Sequence, residues 1–511
     1  MDHMGVLSLI PPIIAIVMAL STRNVIISLF LGLFSGILIL SHFNPLNSVK
    51  TVIGDYFFLQ ITDSYNAGIL VLLVFIGGFV ALLEKSGGAA AFASKIAGVI
   101  KNRVQTQLAA WLGGIAIFFS ELGTPLIIGP VFEPIFDKAK VSREKLAWII
   151  DSTASPVSVM IPFIGWGVYI IGLINTEYER LNITESAWDS FIQSIPYYIY
   201  PILAVLIVPL IVIAKLDFGP MAKAERRVLE TGQLFWPESK PMRKPEVFTE
   251  IKENSSKPIL VWFPILVLLV TIVSLLIPLG FPFKKIDGNE FRIALTTAYL
   301  FAALSLIVLM TVYKVKKLAE SFDIYFSGMK RMMDILIILV LAWSLGTVLD
   351  KMGTAKYIVQ LMDGNIPLFL VPAIIFVVGA GMSFANGTSW GTFAIMLPLA
   401  IPLAFHLDVS MYACIGAVIS GGIFGDHCSP ISDTTILSST GAGTDFKDHN
   451  KTQVPIALFN AAISVIALVV GGLVGFETTI YIAVTLMVVG VIFLTKFYNR
   501  RTPSFDEDHL A

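Results

Sequence analysis

Residues 425–440 read Gly-Asp-His-Cys-Ser-Pro-Ile-Ser-Asp-Thr-Thr-Ile-Leu-Ser-Ser-Thr and interrupt a long apolar stretch of the chain. Pro430 has no backbone N–H and breaks a helical hydrogen-bond ladder, while Gly425 permits dihedral angles that other residues avoid. Two carboxylates, Asp426 and Asp433, stand among hydroxyl side chains in this segment. The stretch therefore predicts a helix that is broken in its middle, with polar groups gathered at the break.

The composition places this break in a membrane. Of the 511 residues, 56% are hydrophobic and 14% are charged, and the mean hydropathy is +0.81. A soluble domain needs more charge to cover its surface, and apolar runs near the ~20 residues that cross a bilayer recur along the chain.

The net charge of -1 gives no reason to expect a nucleic-acid partner. Cys414 and Cys428 indicate neither a disulfide framework nor a metal cluster. The first apolar run lacks a preceding basic region, so we interpret it as a membrane span and not as a cleaved signal.

The positions of Lys and Arg, which favour cytoplasmic loops, decide how many of about thirteen apolar segments cross the membrane. The loops 84–103 and 137–145 are both basic, so the segment between them should enter and return on one side as a re-entrant hairpin, 104–136. A second hairpin, 366–405, has flanks poor in basic residues and should enter from outside. The N-terminus is then outside, the C-terminus is cytoplasmic, and no Lys or Arg lies within a span. Thirteen full crossings is the alternative. The eleven predicted crossings are 6–20, 25–40, 68–83, 146–173, 195–214, 259–279, 293–312, 332–349, 411–438, 454–474 and 480–495.

The chain also repeats itself weakly at an offset of about 270 residues. The matching landmarks are 83–87 with 349–353, 123–124 with 387–388, and 155–158 with 429–432. Each unit holds five crossings and one hairpin, and because five is odd the second unit is inverted relative to the first. Inverted repeats with broken helices near the midplane are typical of secondary transporters. The predicted fold is an all-α polytopic membrane protein with these parts: a first repeat 1–214, a flexible cytoplasmic linker 215–257, a second repeat 258–475, and an extra span with a disordered tail, 476–511.

Carboxylates at membrane depth cost several kcal/mol and are functional by default. Hydroxyls, carbonyls freed at a helix break and carboxylates form an oxygen set suited to Na+, and a carboxylate can carry a proton when the cation is absent. The first-repeat break at 151–158 has the same character with one carboxylate fewer. The candidate ion- and proton-binding residues are Asp426, Asp433, Asp151, Ser429, Ser432, Thr434, Ser155 and Thr153, with Na+ assigned to Asp426, Asp433 and Ser432.

The two hairpin tips are expected to meet the breaks near the membrane midplane, and His427 is a candidate proton relay. The tip residues are Glu121, Gly123, Thr124, Asn386, Gly387, Thr388 and Ser389.

Each candidate also has a purely structural interpretation. The carboxylates of the second break could cap half-helices, Asp151 could face the membrane boundary, Glu121 could pair with a neighbour, and His427 could be a satisfied core histidine. Asn386, Thr388 and Ser389 could be caps that hold backbone donors at the tip.

Residues 424–443 resemble the signature of the NhaC-type Na+/H+ antiporters, and so do Asp448-His449 and the run 451–455. The resemblance is strongest over 332–474. It implies inverted repeats, two hairpins, Ser-rich breaks, an elevator-like motion and a homodimer. The family also includes exchangers of small carboxylates, such as malate for lactate, and amino-acid transporters, so the resemblance leaves the substrate open.

The leading hypothesis is a proton-driven antiporter that exports Na+ or Li+, with no cofactor beyond the transported Na+ and H+. Its partners would be the lipid bilayer of the cell membrane, small cations and, in the alternative, a small organic anion or an amino acid. That alternative is a Na+- or H+-coupled carrier or exchanger of such compounds. A channel is disfavoured because a selectivity filter normally comes from symmetric subunits around one pore. An enzyme is disfavoured because no strand-turn-helix nucleophile elbow occurs.

Overall fold

The structure is a computed structural model that describes residues 3–97, 102–242, 257–281, 288–362 and 366–499. Within these ranges the secondary structure is helical, and no strand occurs. Residues 243–256 of the predicted linker and the predicted disordered tail from residue 500 onward lie outside the described residues. The helices of the first half are α1 (Ile10–Thr22), α2 (Val25–Leu40), α3 (Pro45–Thr51), α4 (Phe58–Thr62), α5 (Ser64–Lys85), α6 (Gly88–Ala97), α7 (Arg103–Ala116), α8 (Gly123–Lys138), α9 (Arg143–Thr153), α10 (Ser155–Ser158), α11 (Gly165–Arg180), α12 (Ala187–Ser194), α13 (Ile199–Ile213) and α14 (Gly219–Thr231).

The second half is helical as well. Its helices are α15 (Ile259–Leu276), α16 (Gly288–Val312), α17 (Leu318–Arg331), α18 (Met333–Lys351), α19 (Thr354–Met362), α20 (Val371–Asn386), α21 (Ser389–Leu407), α22 (Met411–Cys428), α23 (Asp433–Ala442), α24 (Phe446–Val474) and α25 (Thr479–Asn499). A π-helical segment, Val52–Phe57, joins α3 to α4.

Nine of the described helices are long and apolar enough to cross a membrane, or up to eleven if each of two bent pairs counts as one span. Between its first and last turns, a helix pairs its backbone groups internally, which the bilayer interior requires. The predicted class, an all-α polytopic membrane protein, is therefore confirmed. The nine include both arms of the second predicted hairpin, α20 and α21. The predicted count of eleven crossings and the predicted sidedness thus stay predictions.

Two of the long helices lie at the periphery and expose apolar side chains. On α15, Leu266 and Val270 are exposed, and on α25, Val489 and Phe493 are exposed. A soluble protein rarely exposes contiguous apolar surface of this extent. These faces therefore suit contact with lipid tails or with another apolar protein surface.

Each predicted hairpin is a pair of helices with a short break between them. In the first, α7 ends at Ala116 and α8 begins at Gly123. In the second, α20 ends at Asn386 and α21 begins at Ser389, and Gly387 between them has a φ of +73°. Glycine tolerates this left-handed conformation at little cost, so the tip turns sharply.

Contacts between the halves come in matched pairs. Helix α8 packs against α23, and the corresponding helix of the second half, α21, packs against α11. Likewise α24 packs against α9, while α13 packs against α22. The α8–α23 contact is very close because Gly129 faces the backbone of Gly441, and Gly441 faces the backbone of Pro125. Each hairpin's second arm thus touches the segment that follows the break of the other half.

The first broken span is more irregular than the sequence indicated. The predicted crossing 146–173 is divided among α9, the single turn α10 and α11, with an irregular stretch from Val159 to Ile164. The break in the second half is shorter and runs from Ser429 to Ser432 between α22 and α23.

The expectation of a flexible linker from residue 215 is wrong for its first half. Helix α14 is docked against α9, and Glu225 and Arg227 on it are buried. Arg227 binds Glu144 of α9 through two hydrogen bonds of 2.9 and 3.1 Å. Glu225 pairs with Arg103 and accepts a hydrogen bond of 2.8 Å from the backbone N–H of Ser142. The ionic residues that resembled a solvated loop in the sequence instead form buried pairs.

Arg292 comes directly before the predicted span 293–312, so the expectation that no Lys or Arg lies within a span stays a prediction. This residue lies on the apolar helix Asn289–Val312 and is buried. Its guanidinium stacks on the ring of Tyr65 at 3.6 Å from the centroid, and Gly68 leaves room for its side chain. Cation–π stacking compensates part of the cost of withdrawing the charge from water.

Candidate functional site

The break in the second half places a carboxylate beside freed backbone. Helix α22 ends at Cys428, and α23 begins after Ser432, which is its N-cap. Asp426 lies in the last turn of α22 and is 4% exposed. Its Oδ1 accepts a hydrogen bond of 2.7 Å from Ser432 Oγ, and Ser432 Oγ lies 2.9 Å from Thr434 Oγ1. The chain thus folds back so that the break's own hydroxyls bind its carboxylate.

A residue of the first break completes the set around Asp426. Ser155 follows the break after α9, and its Oγ donates to Asp426 Oδ2 at 3.4 Å. Ser389, at the tip of the second hairpin, also interacts with this carboxylate and donates to the carbonyl oxygen of Gly422 at 3.3 Å. The Asp426 site therefore joins both breaks and one hairpin tip.

The second carboxylate, Asp151, is bound by the opposite half of the molecule. It lies on α9 and is 1% exposed. Thr435 Oγ1 donates to its Oδ2 at 3.2 Å, and Ser438 Oγ donates to its Oδ1 at 3.1 Å, both from α23. Gln453 of α24 donates from Nε2 to Oδ2 at 2.6 Å. Thr435 Oγ1 also lies 3.4 Å from the carbonyl oxygen of Asp426, which links the two carboxylate sites.

Neither carboxylate has a basic partner. Over the described ranges, no Lys or Arg side chain forms an ion pair or hydrogen bond with Asp151 or Asp426. A buried carboxylate without a fixed cation must be neutralised by a proton or by a bound cation. This electrostatic situation differs from the paired carboxylates at the docked helix α14.

A chain of polar side chains leads away from Asp151. Gln453 Oε1 lies 2.8 Å from His449 Nε2, and His449 Nδ1 lies 2.8 Å from Ser439 Oγ. His427 is held separately: its Nδ1 lies 2.7 Å from Tyr200 Oη and its Nε2 lies 3.4 Å from Ser152 Oγ. His427 is thus a fully partnered, buried histidine adjacent to Asp426.

The tip of the first hairpin is held by its own side chains. Ser120 Oγ accepts from the N–H of Gly123 at 2.9 Å and donates to Glu84 at 2.6 Å. Thr124 Oγ1 donates to the carbonyl oxygen of Ile117 at 3.0 Å. Glu121 Oε1 accepts a hydrogen bond of 3.2 Å from Trp390 Nε1. The first tip therefore contacts the second hairpin directly through Glu121.

The tip of the second hairpin lies against the second break. A Cβ atom on Gly387 would meet Ile431 at 2.9 Å. Asn386 Oδ1 accepts from the N–H of Thr388 at 2.9 Å, so the amide stabilises the turn. Ser429 Oγ donates to the carbonyl oxygen of Phe384 at 2.7 Å. The tip and the break thus satisfy one another's backbone groups.

The structure separates some of the predicted site residues from the two carboxylates. Asp433 opens the first turn of α23 and is exposed, although it stays within electrostatic range of Asp426. Thr153 Oγ1 donates back to the carbonyl oxygen of Ile149 at 3.0 Å, and Ser429 is bound to the hairpin. Among the described residues no group of three or more His, Cys, Asp or Glu side chains could hold a metal ion. The assignment of Na+ to Asp426, Asp433 and Ser432 remains a prediction.

Gln453, His449 and Tyr200 were not singled out from the sequence as site residues. Gln453 and His449 lie in a polar run, 445–453, that precedes the predicted span 454–474, and the structure continues α24 through this run. One sequence signal could have identified these two residues. His449 and Gln453 are four positions apart, which is about one helical turn, so a helix that continues back from the span into this polar run places both on the same face. Tyr200 stands in an apolar stretch, and nothing in the sequence marks it.

Two broken spans, two hairpins and buried carboxylates without basic partners define a membrane transport protein. The model of the Na+/H+ antiporter family matches residues 162–473. The chain belongs to this family, and it is accordingly a secondary transporter of the antiporter type, a multi-pass membrane protein and not an enzyme. The family resemblance drawn from residues 424–443 is confirmed.

Two relatives match the chain over most of its length. An uncharacterised protein of Haemophilus influenzae is 35% identical over 513 residues, which is 96% of each chain. A protein of Bacillus subtilis named as the putative amino acid transporter YuiF is 23% identical and covers 77% of this chain and 84% of its own. The crystal structure of the Alcanivorax borkumensis YdaH transporter has a TM-score of 0.55 at 14% identity, covering 84% of this chain and 89% of that one. This last likeness shows a shared fold.

Proposed function

We propose that the chain exchanges Na+, or Li+, for H+ at the Asp426 and Asp151 carboxylates by alternating access. The observation that carries the proposal is that both carboxylates are buried, are bound by hydroxyl and amide groups, and have no ion pair with Lys or Arg among the described residues. A charge in this position must be neutralised, and a proton and a small cation are the two candidates that fit.

The oxygen atoms around Asp426 suit a hard cation, which takes oxygen ligands. A serine or threonine hydroxyl has one proton and two lone pairs. Ser432 can therefore donate to the carboxylate and still offer a lone pair to a cation. Ser155 and Thr434 supply further hydroxyl oxygens near the same carboxylate. Binding of Na+ and of a proton would compete for Asp426, which couples the two fluxes.

The Asp151 site supplies the connection between the halves. Its ligands Thr435, Ser438 and Gln453 all come from α23 and α24, whereas Asp151 itself lies on α9. A change in the charge of Asp151 alters the hydrogen bonds that join the halves, because a carboxylate accepts and a carboxylic acid also donates. We propose that binding of a proton or a cation at Asp151 is coupled to movement of one half of the molecule against the other. This coupling is in keeping with the expected elevator-like motion.

The proposal includes the sidedness from the Lys and Arg distribution, with the N-terminus outside and the C-terminus cytoplasmic, and the homodimer implied by the resemblance. His427 is a weaker candidate for the proton route, since its two ring nitrogens already have partners.

The second candidate function is a coupled carrier of an amino acid or small carboxylate. Two buried side-chain atoms at the hairpin tips, Glu121 Oε2 and Asn386 Nδ2, have no hydrogen-bond partner among the described residues, and the polar groups of an amino acid would supply one.

The test is an exchange assay in proteoliposomes that hold a pH gradient. Addition of Na+ should collapse the gradient in vesicles with the wild-type protein and should fail to do so with Asp426→Asn or Asp151→Asn. Asp323→Asn is the matched control, since Asp323 is exposed on α17, outside both breaks and both hairpins, and its exchange should stay within a few-fold of wild type. A gradient that survives Na+ and Li+ addition with the wild-type protein would refute the proposed exchange.

A further inference from the structure

Helices α15 and α16 pack side by side and leave an apolar groove of about 530 Å³ on their outer face. The side chains that line it recur every three or four residues, so each helix contributes one face. They include Phe263, Val267 and Thr271 of α15 and Phe301, Ser305 and Val308 of α16. Phe301 and Val308 are exposed at its rim. Because both helices are long and apolar enough to cross the membrane, the groove opens sideways towards lipid.

The two hydroxyl groups in the groove are turned to their own helices. Thr271 Oγ1 donates to the carbonyl oxygen of Val267 at 2.7 Å, and Ser305 Oγ donates to that of Ala302 at 2.8 Å. Neither hydroxyl proton is therefore left for a ligand, and the small side chains leave the room that the groove occupies. From Phe263 to Thr271 the groove extends about 12 Å, most of the ~15 Å hydrocarbon depth of one leaflet. Its shape and chemistry suit a hydrocarbon chain.

Lysine side chains gather at one end of this groove. Lys257 lies just before α15, and Lys314 and Lys316 lie just after α16. Lys257 Nζ is 4.5 Å from the centre of the Tyr313 ring, so the two antiparallel helices bring these segments together. All three lysines are exposed, and none of them forms an ion pair with a carboxylate of the described residues. This end of the groove therefore carries a concentrated positive charge.

Two aromatic side chains mark the depth of the lysines in the bilayer. Trp262 lies in the first turn of α15 and is 40% exposed, and Tyr313 directly follows α16. Tryptophan and tyrosine prefer the boundary between the hydrocarbon and the headgroups, where the apolar ring and the polar tip both find partners. The lysines beyond these rings are therefore at the level of the lipid phosphates, and the groove lies beneath them in the hydrocarbon.

We propose that the α15–α16 groove binds an anionic phospholipid, with one acyl chain along the groove and the headgroup phosphate beside Lys257, Lys314 and Lys316. Basic residues at the membrane surface attract anionic headgroups. A zwitterionic phospholipid offers the same acyl chain and phosphate, but it also brings a cationic group towards the lysines. The charged end thus selects the headgroup, and the groove holds the chain in place.

The charge at the end of the groove favours a lipid over a second copy of the chain. In a dimer whose twofold axis runs along the membrane normal, the same surface of each copy meets the other. Two copies that met through the α15–α16 groove would bring their lysine ends to the same height in the membrane. Like charges in such an arrangement repel each other, whereas a lipid phosphate neutralises them.

The first experiment measures lipid retention by native mass spectrometry of the full-length protein released from detergent. Phosphatidylglycerol and phosphatidylcholine with identical acyl chains are titrated separately. Phosphatidylglycerol should be retained roughly tenfold more tightly, since about 1 kcal/mol per lysine is expected from an anionic headgroup. Equal retention of the two lipids would overturn the proposal.

Charge variants distinguish a site from a general attraction to positive charge. The double variant Lys314→Gln and Lys316→Gln should weaken the binding of phosphatidylglycerol roughly tenfold. The control is the double variant Lys138→Gln and Lys223→Gln, which removes two exposed charges from α8 and α14, outside the α15–α16 pair. The control should bind the lipid as wild type does. Equal losses in the two double variants would contradict a site at the groove.

The acyl-chain part of the site is tested without any change of charge. Ser305→Phe fills the groove and should weaken phosphatidylglycerol binding, whereas wild-type binding would refute the placement of the chain. A second measurement covers the case that this variant does not fold. Phosphatidylglycerol with a photoactivatable group in its acyl chain should label α15 or α16 of the wild-type protein, and labelling confined to other helices would equally refute the groove. Neither result depends on which ion is exchanged, so failure of the lipid site leaves the proposed exchange untouched.

Discussion

Gln453 on α24 donates a hydrogen bond of 2.6 Å from Nε2 to Oδ2 of Asp151 on α9. The same amide group contacts the backbone carbonyl oxygen of His427 in the last turn of α22. One side chain thus connects three helices around the two carboxylates. Its Oε1 is engaged with His449, so the amide has little freedom to rotate.

Replacing Gln453 by Met should therefore impair exchange while leaving the volume of the side chain nearly unchanged. Loss of a hydrogen bond to a buried charged group costs ~1.5–3 kcal/mol, which corresponds to roughly a 10- to 100-fold change in an equilibrium constant. We expect the Na+ concentration for half-maximal collapse of a pH gradient to change by at least tenfold. Gln193→Met, at an exposed position, is the control, and equal behaviour of the two variants would show that the contact is dispensable.

The sequence predicted the two helix breaks well, because proline and glycine act locally. Pro430 and Pro156 lie at the breaks that follow α22 and α9. The weak repeat also paired Asp151 with Asp426 across the two halves, and the structure places them in one hydrogen-bonded cluster. This pairing depended on spacing along the chain and not on any knowledge of side-chain direction.

Side-chain direction is what the sequence could not provide. Asp433 follows its N-cap and is exposed, although Asp426, seven residues earlier, is buried. The phase of a helix after an irregular break depends on the dihedral angles within the break, which composition does not determine.

The docked part of the linker was missed for a related reason. Its charges have the same composition as a solvated loop, and only folding brings Arg227 to Glu144.

The docked helix α14 should contribute strongly to stability. Arg227→Ala would leave Glu144 buried without its partner, and breaking a buried pair in this way costs about 3–5 kcal/mol. The adjacent Arg226, which forms an exposed pair with Glu230 at 3.8 Å, provides the control. Arg226→Ala should cost about 0–1 kcal/mol. Thermal unfolding of the detergent-solubilised variants measures both, and a similar small loss for the two would mean that α14 is only loosely attached.

The ionic contacts of Glu225 on α14 should be insensitive to pH in the neutral range. Burial disfavours the charged form of Glu225, but the neighbouring Lys145 and Arg103 outweigh it and hold the pKa of this carboxyl below its ordinary value of 4.5. A lowered pKa stabilises the folded state above the ordinary value, and this stabilisation is lost as the pH falls below it. The difference in unfolding temperature between wild type and Glu225→Gln should therefore be constant from about pH 6 to 8 and shrink below about pH 4.5. A difference that already shrinks between pH 8 and 6 would contradict the assignment.

The close approach of α8 and α23 should be intolerant of a methyl group. A Cβ on Gly441 would collide with the backbone carbonyl of Pro125, and backbone cannot move aside as a side chain can. Gly441→Ala should destabilise the protein by about 1–3 kcal/mol, the usual cost of overpacking, and should also slow exchange. A Cβ added to Gly381 on α20 would meet no atom within 4 Å. Gly381→Ala should therefore be neutral or stabilise by up to about 1 kcal/mol. Melting curves that rank the two variants in the opposite order would exclude this packing.

The sidedness inferred from Lys and Arg can be tested with two exposed positions. Asn47 lies on α3 and Glu238 follows α14, and the charge distribution puts the first outside and the second in the cytoplasm. Cys414 and Cys428 are buried, so they should react little in intact cells. An impermeant maleimide should label Asn47→Cys directly, but Glu238→Cys only after the membrane is permeabilised. Because the two positions differ by an odd number of predicted crossings, labelling of both from the same side would refute the eleven-crossing arrangement. A reversed pattern would keep the number of crossings and invert the orientation, which would overturn the charge argument alone.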